Sequence, residues 1–414
     1  MLRGDSYREV LANRSFRALW LGQTLSHLGQ SIIYVVVALY VYELTGSAQQ
    51  VSFAVALELL PLVVIGPLAG VLADHLERKR MLVAAFSGQA VIVGLLPFTT
   101  SLAQVYVLIF LTSLLAPVAS LVWAVALPSV TGQELFVRGS SLDIVSYNAA
   151  NVLGPIAGGW LASLAGSKPV FFLAAGCFVG AASLSMRAAA APGPRAEIRE
   201  PLRLHAVREE MVEGIRSLLG SSVLRYLVLL NCISSLGWAA PAVAAVVYVT
   251  DTLGLGGREY GLLRGVDAMS IGLGVYVLGR YSRLLSRQRL LVGGVMLAGL
   301  VYMSLLVQPG LLLLLGLWFV SGLGWAANWL MDEALWAQLT PDKVRGRVYS
   351  FAHAVVSLAE VCMTLLGGWL VTVLGPIQAL FIIGLTISTG AIVVTALARP
   401  PSHPWPRAGG TVSD

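Results

Sequence analysis

Residues 70–80 read Gly-Val-Leu-Ala-Asp-His-Leu-Glu-Arg-Lys-Arg, and they end a long apolar run with one acid and a basic cluster. On a helix, Gly66, Gly70 and Asp74 share one face, because residues four apart stack along the axis. Glycine on that face lets a neighbouring helix approach closely. An acid near a helix C-terminus is unfavourable unless a cation or another helix N-terminus compensates it. We therefore predict that a partner holds Asp74 and that the contact acts as a latch.

The composition around this stretch is that of a polytopic membrane protein. Of 414 residues, 57% are hydrophobic and 12% are charged, and the mean hydropathy is +0.81. A soluble domain of this length does not need so apolar a surface. The pattern predicts an all-α membrane protein with twelve transmembrane helices. Their predicted ranges are 16–42, 50–73, 81–100, 102–131, 139–165, 168–187, 223–250, 258–280, 288–307, 310–338, 347–374 and 376–398.

The basic residues predict the orientation of these helices. If both termini are cytoplasmic, only Lys168, Arg258 and Arg264, of 27 Lys and Arg, fall outside or in the outer halves of helices. We therefore expect a multi-pass protein of the cell (inner or plasma) membrane with cytoplasmic termini. The net charge of +6 is a signal of topology. No basic, aromatic-interleaved soluble segment supports a nucleic-acid partner.

Other classes of chemistry lack their sequence patterns. The three cysteines, Cys177, Cys232 and Cys362, lie inside predicted helices without paired spacing, so small apolar filler is the favoured interpretation. No phosphate-binding loop, metal-ligand spacing or nucleophile elbow is present in the sequence. We expect no enzyme activity, no cofactor and no metal site.

The two halves of the chain repeat weakly, at an offset of 208 to 209 residues. Glu58 matches Asp267, Arg138 matches Arg347, and Gly159 matches Gly368. Six helices repeated in one orientation form two bundles related by an axis along the membrane normal, with the substrate path between them. The expected domains are a first bundle at 1–187, a linker at 188–222, a second bundle at 223–398 and a disordered tail at 399–414. We expect a monomer.

The linker is the longest polar stretch of the chain. Residues 191–194 read Ala-Pro-Gly-Pro, which disfavours a helix, and apolar residues then recur at helical intervals over 207–219. Two interpretations remain open for the second part: an amphipathic helix lying on the inner membrane surface, or a strut that connects the bundles.

With these features the chain resembles the major facilitator superfamily. Two motifs carry the resemblance: Gly70-x-Leu72-Ala73-Asp74 with Arg78-Lys79, and Gly154-Pro155-x-x-Gly158-Gly159. The linker sequence Glu213-Gly214-Ile215-Arg216 is similar to the branch that holds enterobactin and macrolide exporters. The resemblance covers roughly residues 14–398. It implies two six-helix bundles around a central cavity and a secondary transporter of the exporter or antiporter type.

A set of residues is expected to gate this cavity. We expect Asp74 to pair across the bundles near the start of the helix at 347–374, around Arg345 and Arg347. Asp143 lies near a helix end, where a gate contact with Arg138 is at least as probable as a role in binding. The predicted gating residues are Gly70, Asp74, Arg78, Lys79, Arg138, Asp143, Arg345 and Arg347.

Ionisable residues inside the predicted helices are the candidates for binding substrate or protons. Such groups are expensive in a membrane and usually face the bundle interior or a wet cavity. Glu360 lies near the middle of its helix and is the leading candidate. Glu58 and Asp267 hold matched positions, and Arg264 lies one turn before Asp267, so a local ion pair is the simpler interpretation there. Glu58 has no such neighbour and is the better carrier of the two.

Polar residues on four helices complete the predicted site. The first helix places Gln23, His27, Gln30 and Tyr34 on one face that is too polar for lipid. A lone histidine is often a packing residue, but its usual pKa suits proton exchange. Tryptophans beside Asp332 suit organic cations, although Trp also anchors helices at the interface. The remaining predicted binding residues are Asn151, Asn328, Trp329 and His353.

Three functions are consistent with these patterns. The first is a secondary transporter that exports amphipathic organic compounds, of drug or siderophore type, by proton antiport with alternating access. The second keeps the fold but moves a lysophospholipid or another lipid. The third is a membrane sensor or scaffold that transports nothing, against which the polar stripes and paired acids argue. The expected partners are a small-molecule or lipid substrate, protons and membrane lipids.

Overall fold

The computed structural model describes residues 5–75, 77–188, 216, 218–281, 287–340 and 345–398. Within them, the description excludes the side chains at 5–6, 62–75, 78, 133, 239, 287, 337–339, 345–347, 350 and 398. The predicted linker helix at 207–219 and the tail at 399–414 therefore lie outside, apart from a few residues near 218. The side chains of Gly70, Asp74, Arg78, Arg345 and Arg347 lie outside as well, so the predicted latch stays a prediction.

The described chain is built from helices. They are α1 (Asp5–Ala12), α2 (Arg14–Thr45), α3 (Ala48–His75), α4 (Arg78–Leu95), α5 (Leu102–Ala165), α6 (Ser167–Arg187), α7 (Ser222–Val247), α8 (Gly257–Tyr281), α9 (Arg287–Ser304), α10 (Leu311–Leu339), α11 (Arg345–Leu374) and α12 (Pro376–Ala398). We call the side of the protein that carries Asp5 and Ala398 the terminal face, and the other side the opposite face.

Local sequence explains where α2 begins and ends. The Asn13 side chain accepts hydrogen bonds from the backbone N–H groups of Ser15 and Phe16, at 3.0 and 3.2 Å, and so satisfies donors that a helix start leaves free. At the other end Gly46 takes a left-handed conformation, φ 59°, which glycine adopts without steric cost. The predicted range of 16–42 is thus extended by one turn at most at each end.

Helix α5 contains two predicted spans in one element. The predicted break between residues 131 and 139 narrows to Gly132, whose φ of 71° and ψ of 166° are not helical. A residue other than glycine is strained at such a φ. The chain therefore changes direction at one residue, and the parts at 102–131 and 133–165 are separate helices that meet on the terminal face.

Ten helices in the described part of the chain are long and apolar enough to cross a membrane. The predicted spans at 50–73 and 139–165 are not among these ten. The second of them carries Asp143, Asn148 and Asn151 among several glycines, which lowers its hydropathy, and all side chains after Pro61 in α3 lie outside the description. The membrane class is confirmed, and the count of twelve spans stays a prediction.

The helices form two groups that match the sequence repeat. In the first group α2 packs against α5 and α6, and α4 packs against the same two helices. In the second group α7 and α9 both pack against α12, while α10 packs against α8 and α9. The two most extensive contacts between the groups are those of α3 with α11 and of α5 with α8.

Glycines allow these two joining pairs to approach at backbone distance near the opposite face. A Cβ added to Gly159 in α5 would overlap the carbonyl oxygen of Gly257 and lie 2.8 Å from the Cα of Gly261, both in α8. A Cβ added to Gly368 in α11 would overlap the Ser52 hydroxyl and lie 3.1 Å from the Ala48 carbonyl oxygen, both in α3. Side chains larger than hydrogen have no room at Gly159 or Gly368. We call these two contacts, of α5 with α8 at Gly159 and of α3 with α11 at Gly368, the seams, and both are closed.

Candidate functional site

A buried charged cluster lies where the two bundles face each other. The Arg264 guanidinium pairs with the Asp267 carboxylate at 3.0 Å, one turn along α8, and the two side chains are 15% and 13% exposed. The same guanidinium lies over the Tyr34 ring of α2, 5.4 Å from its centroid, and Nη2 donates to the Tyr34 hydroxyl at 3.5 Å. The predicted ion pair is present, and it also links the bundles through Tyr34.

Two further carboxylates approach this cluster from the other joining pair of helices. Glu58 of α3 and Glu360 of α11 both lie close enough to Tyr34 to act on it electrostatically. The Oε1 atom of Glu58 is buried and has no hydrogen-bond partner among the described residues. A buried acceptor without a donor is costly, by about 1–3 kcal/mol, so this oxygen is poised to take a proton or a ligand donor. We call Tyr34, Glu58, Arg264, Asp267 and Glu360 the central cluster.

A second polar group lies inside the first bundle, between α2 and α5. His27 Nε2 lies 3.9 Å from the Asp143 Oδ1 and 3.3 Å from the Gln23 Nε2, and the His27 ring meets the Tyr147 ring edge-on at 5.0 Å. One turn further, Ser31 donates to the Asn151 side chain at 2.8 Å. The structure thus brings four predicted residues of the two helices together.

Several polar atoms of this group have no partner. Gln23 Oε1, Asp143 Oδ1 and, one turn along α2, Gln30 Nε2 are buried and make no hydrogen bond within the described residues. Two of the three are acceptors. A polar space of this kind holds water or a ligand when it is large enough, because each orphaned atom is unfavourable.

The predicted residues of the second bundle do not form one site. Asn231 of α7 donates to Asp332 at 2.7 Å, whereas Asn328 is buried and donates to the Leu291 carbonyl oxygen of α9 at 3.3 Å. Trp329 is 52% exposed. His353 is exposed and contacts Tyr349, with ring centroids 5.8 Å apart.

The described gating residues have partners other than those predicted. Lys79 donates to the Ala188 carbonyl oxygen at 2.7 Å, which ties the start of α4 to the end of α6. Arg138 pairs with Glu9 of α1 at 3.8 Å. Asp143 lies beside His27, so the predicted contact between Arg138 and Asp143 is not among the ion pairs of the described residues.

The glycine motif of α5 serves two different neighbours. Gly154 and Gly158 face α2, where an added Cβ would lie 2.6 Å from Ser31 and 3.2 Å from Val36. Gly159 of α5 faces α8, and the Pro155 carbonyl oxygen of α5 lies against Gly261 of α8. Pro155 lies inside α5 and lacks the N–H group that would bond to the carbonyl four residues earlier. The part of α5 that contains Pro155 packs closely against α8.

Comparison with known proteins identifies the family. The model described as Major Facilitator Superfamily matches residues 19–233 and 227–412, which together span both bundles. The chain belongs to the major facilitator superfamily. The match covers both halves, as the sequence repeat requires, so the protein is a transporter of this superfamily and a multi-pass membrane protein.

Individual relatives of this transporter include exporters. It is 26% identical to the enterobactin exporter EntS of Shigella boydii over 276 residues, 64% of this chain and 63% of that protein. It is 39% identical to macrolide efflux protein A of Streptococcus pyogenes over 70 residues, 17% of each chain. The aligned parts thus span less than two thirds of these relatives.

A solved structure supports the fold of the transporter. The crystal structure of a bacterial homologue of the iron transporter ferroportin, in an inward-facing state, superposes with a TM-score of 0.71. The superposition covers 94% of this chain and 99% of that one, at 17% identity. The likeness extends over both bundles and concerns the fold alone.

One contact of the transporter was not predicted from the sequence. The Tyr42 hydroxyl of α2 donates to Asp251, after α7, at 2.5 Å, and it joins the two bundles at the opposite face. The two residues lie 209 positions apart, at the offset of the repeat. The repeat offset could have indicated this pair, because equivalent helix ends of two related bundles lie close together when that face of the protein is closed.

Removing this hydrogen bond is expected to favour opening of the opposite face. Tyr42→Phe deletes the donor and keeps the ring, and a hydrogen bond to a charged group contributes about 1.5–3 kcal/mol. We expect at least a fivefold rise in thiol labelling of a cysteine introduced in the cavity, with a membrane-impermeant reagent applied at the opposite face. Tyr106→Phe is the matched control, because its hydroxyl bonds to Gln50 within the first bundle. Equal labelling of both variants would contradict the role.

Proposed function

We propose that this transporter exports amphipathic organic compounds, cations above all, in exchange for protons. The observation that carries the proposal is the composition of the central cluster: the Arg264 guanidinium is paired with Asp267, and the carboxylates of Glu58 and Glu360 lie near Tyr34 of the same cluster. Because Arg264 already neutralises Asp267, the acids of α3 and α11 are left for a cationic ligand or for protons.

Competition for these acids supplies the coupling. A carboxylate in a low-dielectric cavity is costly when charged and unpaired, so it holds either a proton or a positive ligand. A proton that enters from one side therefore displaces the ligand toward that side, and ligand binding on the other side releases the proton.

The names of the relatives support export as the direction. One relative is an enterobactin exporter and another a macrolide efflux protein. We assign the terminal face to the cytoplasm, because this orientation leaves few basic residues outside. The seams at Gly159 and Gly368 are then closed toward the outside, and we infer that the ligand is taken up from the cytoplasm.

Alternation would follow from rocking of the two bundles. In the outward-open state the seams at the opposite face part, and the terminal face closes. The predicted pairing of Asp74 with Arg345 and Arg347 would hold that closed terminal face. Asp74 then shifts the equilibrium between the inward-open and outward-open states, whereas the central cluster binds the ligand.

Proteoliposome transport tests the proposal. A pH gradient is imposed across the membrane, and the movement of radiolabelled erythromycin, a cationic macrolide, is followed. We expect the gradient to accelerate accumulation, and Glu360→Gln to reduce this acceleration at least tenfold while downhill exchange of erythromycin persists. Glu134→Gln, an exposed acid near the α5 bend, is the matched control and is expected to behave as wild type. Transport indifferent to the gradient and to Glu360→Gln would overturn proton coupling.

A further inference from the structure

Helix α7 leaves one side chain exposed in a stretch that is otherwise buried. Of the ten apolar spans in the described chain it is the most buried, with 82% of its apolar window inside the protein. Trp238 is nevertheless 48% exposed, and over residues 231–249 no other described side chain is exposed. A lipid-facing side of a helix exposes a whole stripe of side chains, because residues three and four apart share a face. A single exposed indole indicates instead a local space inside the protein.

The neighbours of Trp238 show that this space borders α10. Asn231 lies almost two full turns earlier on the same face of α7 and donates to Asp332 of α10 at 2.7 Å. Trp238 itself meets the Trp325 ring of α10 edge-to-face, with centroids 5.7 Å apart and an interplanar angle of 84°. Leu229, which is 53% exposed, lies about two and a half turns before Trp238 and therefore on the opposite side of α7. The open part of Trp238 thus lies next to the contact between α7 and α10.

Helix α10 shows the same pattern at Trp329. This side chain is 52% exposed, and over residues 321–332 no other side chain that the structure describes is exposed. Trp329 lies one turn beyond Trp325, between Trp325 and Asp332, so it belongs to the side of α10 that contacts α7. On α7, the Ser234 hydroxyl lies one turn before Trp238, and its oxygen is buried without a partner among the described residues. Two half-open indoles and an unpaired hydroxyl therefore lie along this contact.

Buried hydrogen bonds fix the ring that supports Trp238. Trp325 Nε1 donates to the Tyr302 hydroxyl of α9 at 3.0 Å, and that hydroxyl donates to the Gly237 carbonyl oxygen of α7 at 3.1 Å. A Cβ added to Gly237 would lie 2.9 Å from the Trp325 ring, so glycine lets this ring lie directly on the backbone of α7. The aromatic pair is therefore held in place before any ligand arrives, and a preorganised surface loses little entropy on binding.

We propose that Trp238 and Trp329 form an aromatic subsite of the transporter, which holds an aromatic ring of the ligand between α7 and α10. Indole faces offer a large apolar surface without charge, and aromatic groups pack on them in stacked or edge-to-face arrangements. The subsite thus selects ligands that carry a ring, whereas the carboxylates of the central cluster respond to charge. The use of the subsite in export rests on the proposed function, whereas the binding of a ring does not depend on protons.

Equilibrium binding to the full-length protein in detergent tests the subsite with two lipophilic cations of equal charge. Tetraphenylphosphonium carries aromatic rings, and tetrabutylphosphonium carries none. We expect Trp238→Leu to weaken binding of tetraphenylphosphonium about tenfold, because a ring contact is lost, and to change binding of tetrabutylphosphonium less than about twofold. Trp238→Phe keeps a ring and is expected to restore most of the affinity. Trp369→Leu is the matched control, because Trp369, 53% exposed, shares an exposed stripe of α11 with Leu366 and Val373 and so faces lipid.

Several results would overturn the subsite. One is a folded Trp238→Leu variant that loses affinity equally for the two cations, or for neither. Another is wild-type protein that binds tetraphenylphosphonium no more tightly than tetrabutylphosphonium.

Photolabelling of the wild-type protein keeps the test decisive if Trp238→Leu does not fold. An aryl azide derivative of tetraphenylphosphonium is attached by light, and the labelled peptides are mapped by mass spectrometry. We expect attachment within residues 230–245 of α7 or 320–335 of α10. Attachment confined to other parts of the chain would overturn the subsite.

These measurements use no pH gradient, so the subsite and the proposed function fail separately. Absence of proton coupling in proteoliposomes would leave a measured preference for aromatic cations intact. Absence of that preference would leave the outcome of the Glu360→Gln transport test unchanged.

Discussion

Gly159→Ala is expected to abolish transport and to leave the protein open at the opposite face. The added methyl group would overlap the Gly257 carbonyl oxygen and approach the Cα of Gly261 to 2.8 Å, and these are backbone atoms that cannot turn aside. Overpacking of this kind costs about 1–3 kcal/mol. Because the clash exists only when the seam is closed, the equilibrium between states shifts about 5- to 150-fold toward the open seam.

The measurement follows the distance between the two bundles at the opposite face. Spin labels at positions 44 and 252, in a background without the three native cysteines, report the separation of two exposed positions that lie 208 residues apart, at the end of α2 and just after α7. We expect the distance distribution of Gly159→Ala to move to longer values. Gly176→Ala is the matched control, because a Cβ there has no atom within 4 Å. A wild-type distribution with normal erythromycin transport would contradict the assignment of the seam.

Arg264→Gln is expected to be the most destabilising single change in the central cluster. It leaves the Asp267 carboxylate, 13% exposed, without its cation. Breaking a buried ion pair from one side costs about 3–5 kcal/mol, because the remaining charge stays buried and unpaired. The substitution also removes the contact with Tyr34 that spans the bundles. We expect a clear drop in the thermal unfolding temperature in detergent and a loss of transport.

A double substitution separates the two consequences. Arg264→Gln with Asp267→Asn removes both charges, so most of the lost stability is expected to return while the contact with Tyr34 stays absent. Arg80→Gln is the matched control: its pair with Glu77 is 85% and 47% exposed, and such pairs contribute about 0–1 kcal/mol. A double variant as unstable as Arg264→Gln would show that the buried carboxylate is not the cause.

The membrane fold was predictable from hydropathy, the repeat and the two motifs. The Arg264–Asp267 pair was predictable as well, since residues three apart on a helix are neighbours. In both cases the decisive interactions are local or repeat along the chain. The same local spacing placed Gln23, His27 and Tyr34 on one face of α2, and the structure gives that face polar neighbours.

The sequence alone does not show which neighbouring helix each face of a helix contacts. Asn328 shares a stripe with Trp329 and Asp332, yet it turns toward α9, because a stripe with spacings of three and four is wide enough to touch two helices. Arg138 lies four residues after Glu134 and five residues before Asp143 in the sequence. The short helix α1, for which no span was predicted, brings Glu9 to Arg138, and Asp143 then lies beside His27.

The two glycine seams have the geometry of a contact between identical subunits. Gly159 meets residues 257 and 261, while Gly368 meets residues 48 and 52, and every equivalent pair lies 209 positions apart. This is an isologous contact, as in a twofold-symmetric dimer, here made within a single polypeptide. Because the two seams are related by one pseudo-twofold axis, a rocking motion that preserves this symmetry opens both together, and a substitution that holds one seam open is expected to hold the other open as well.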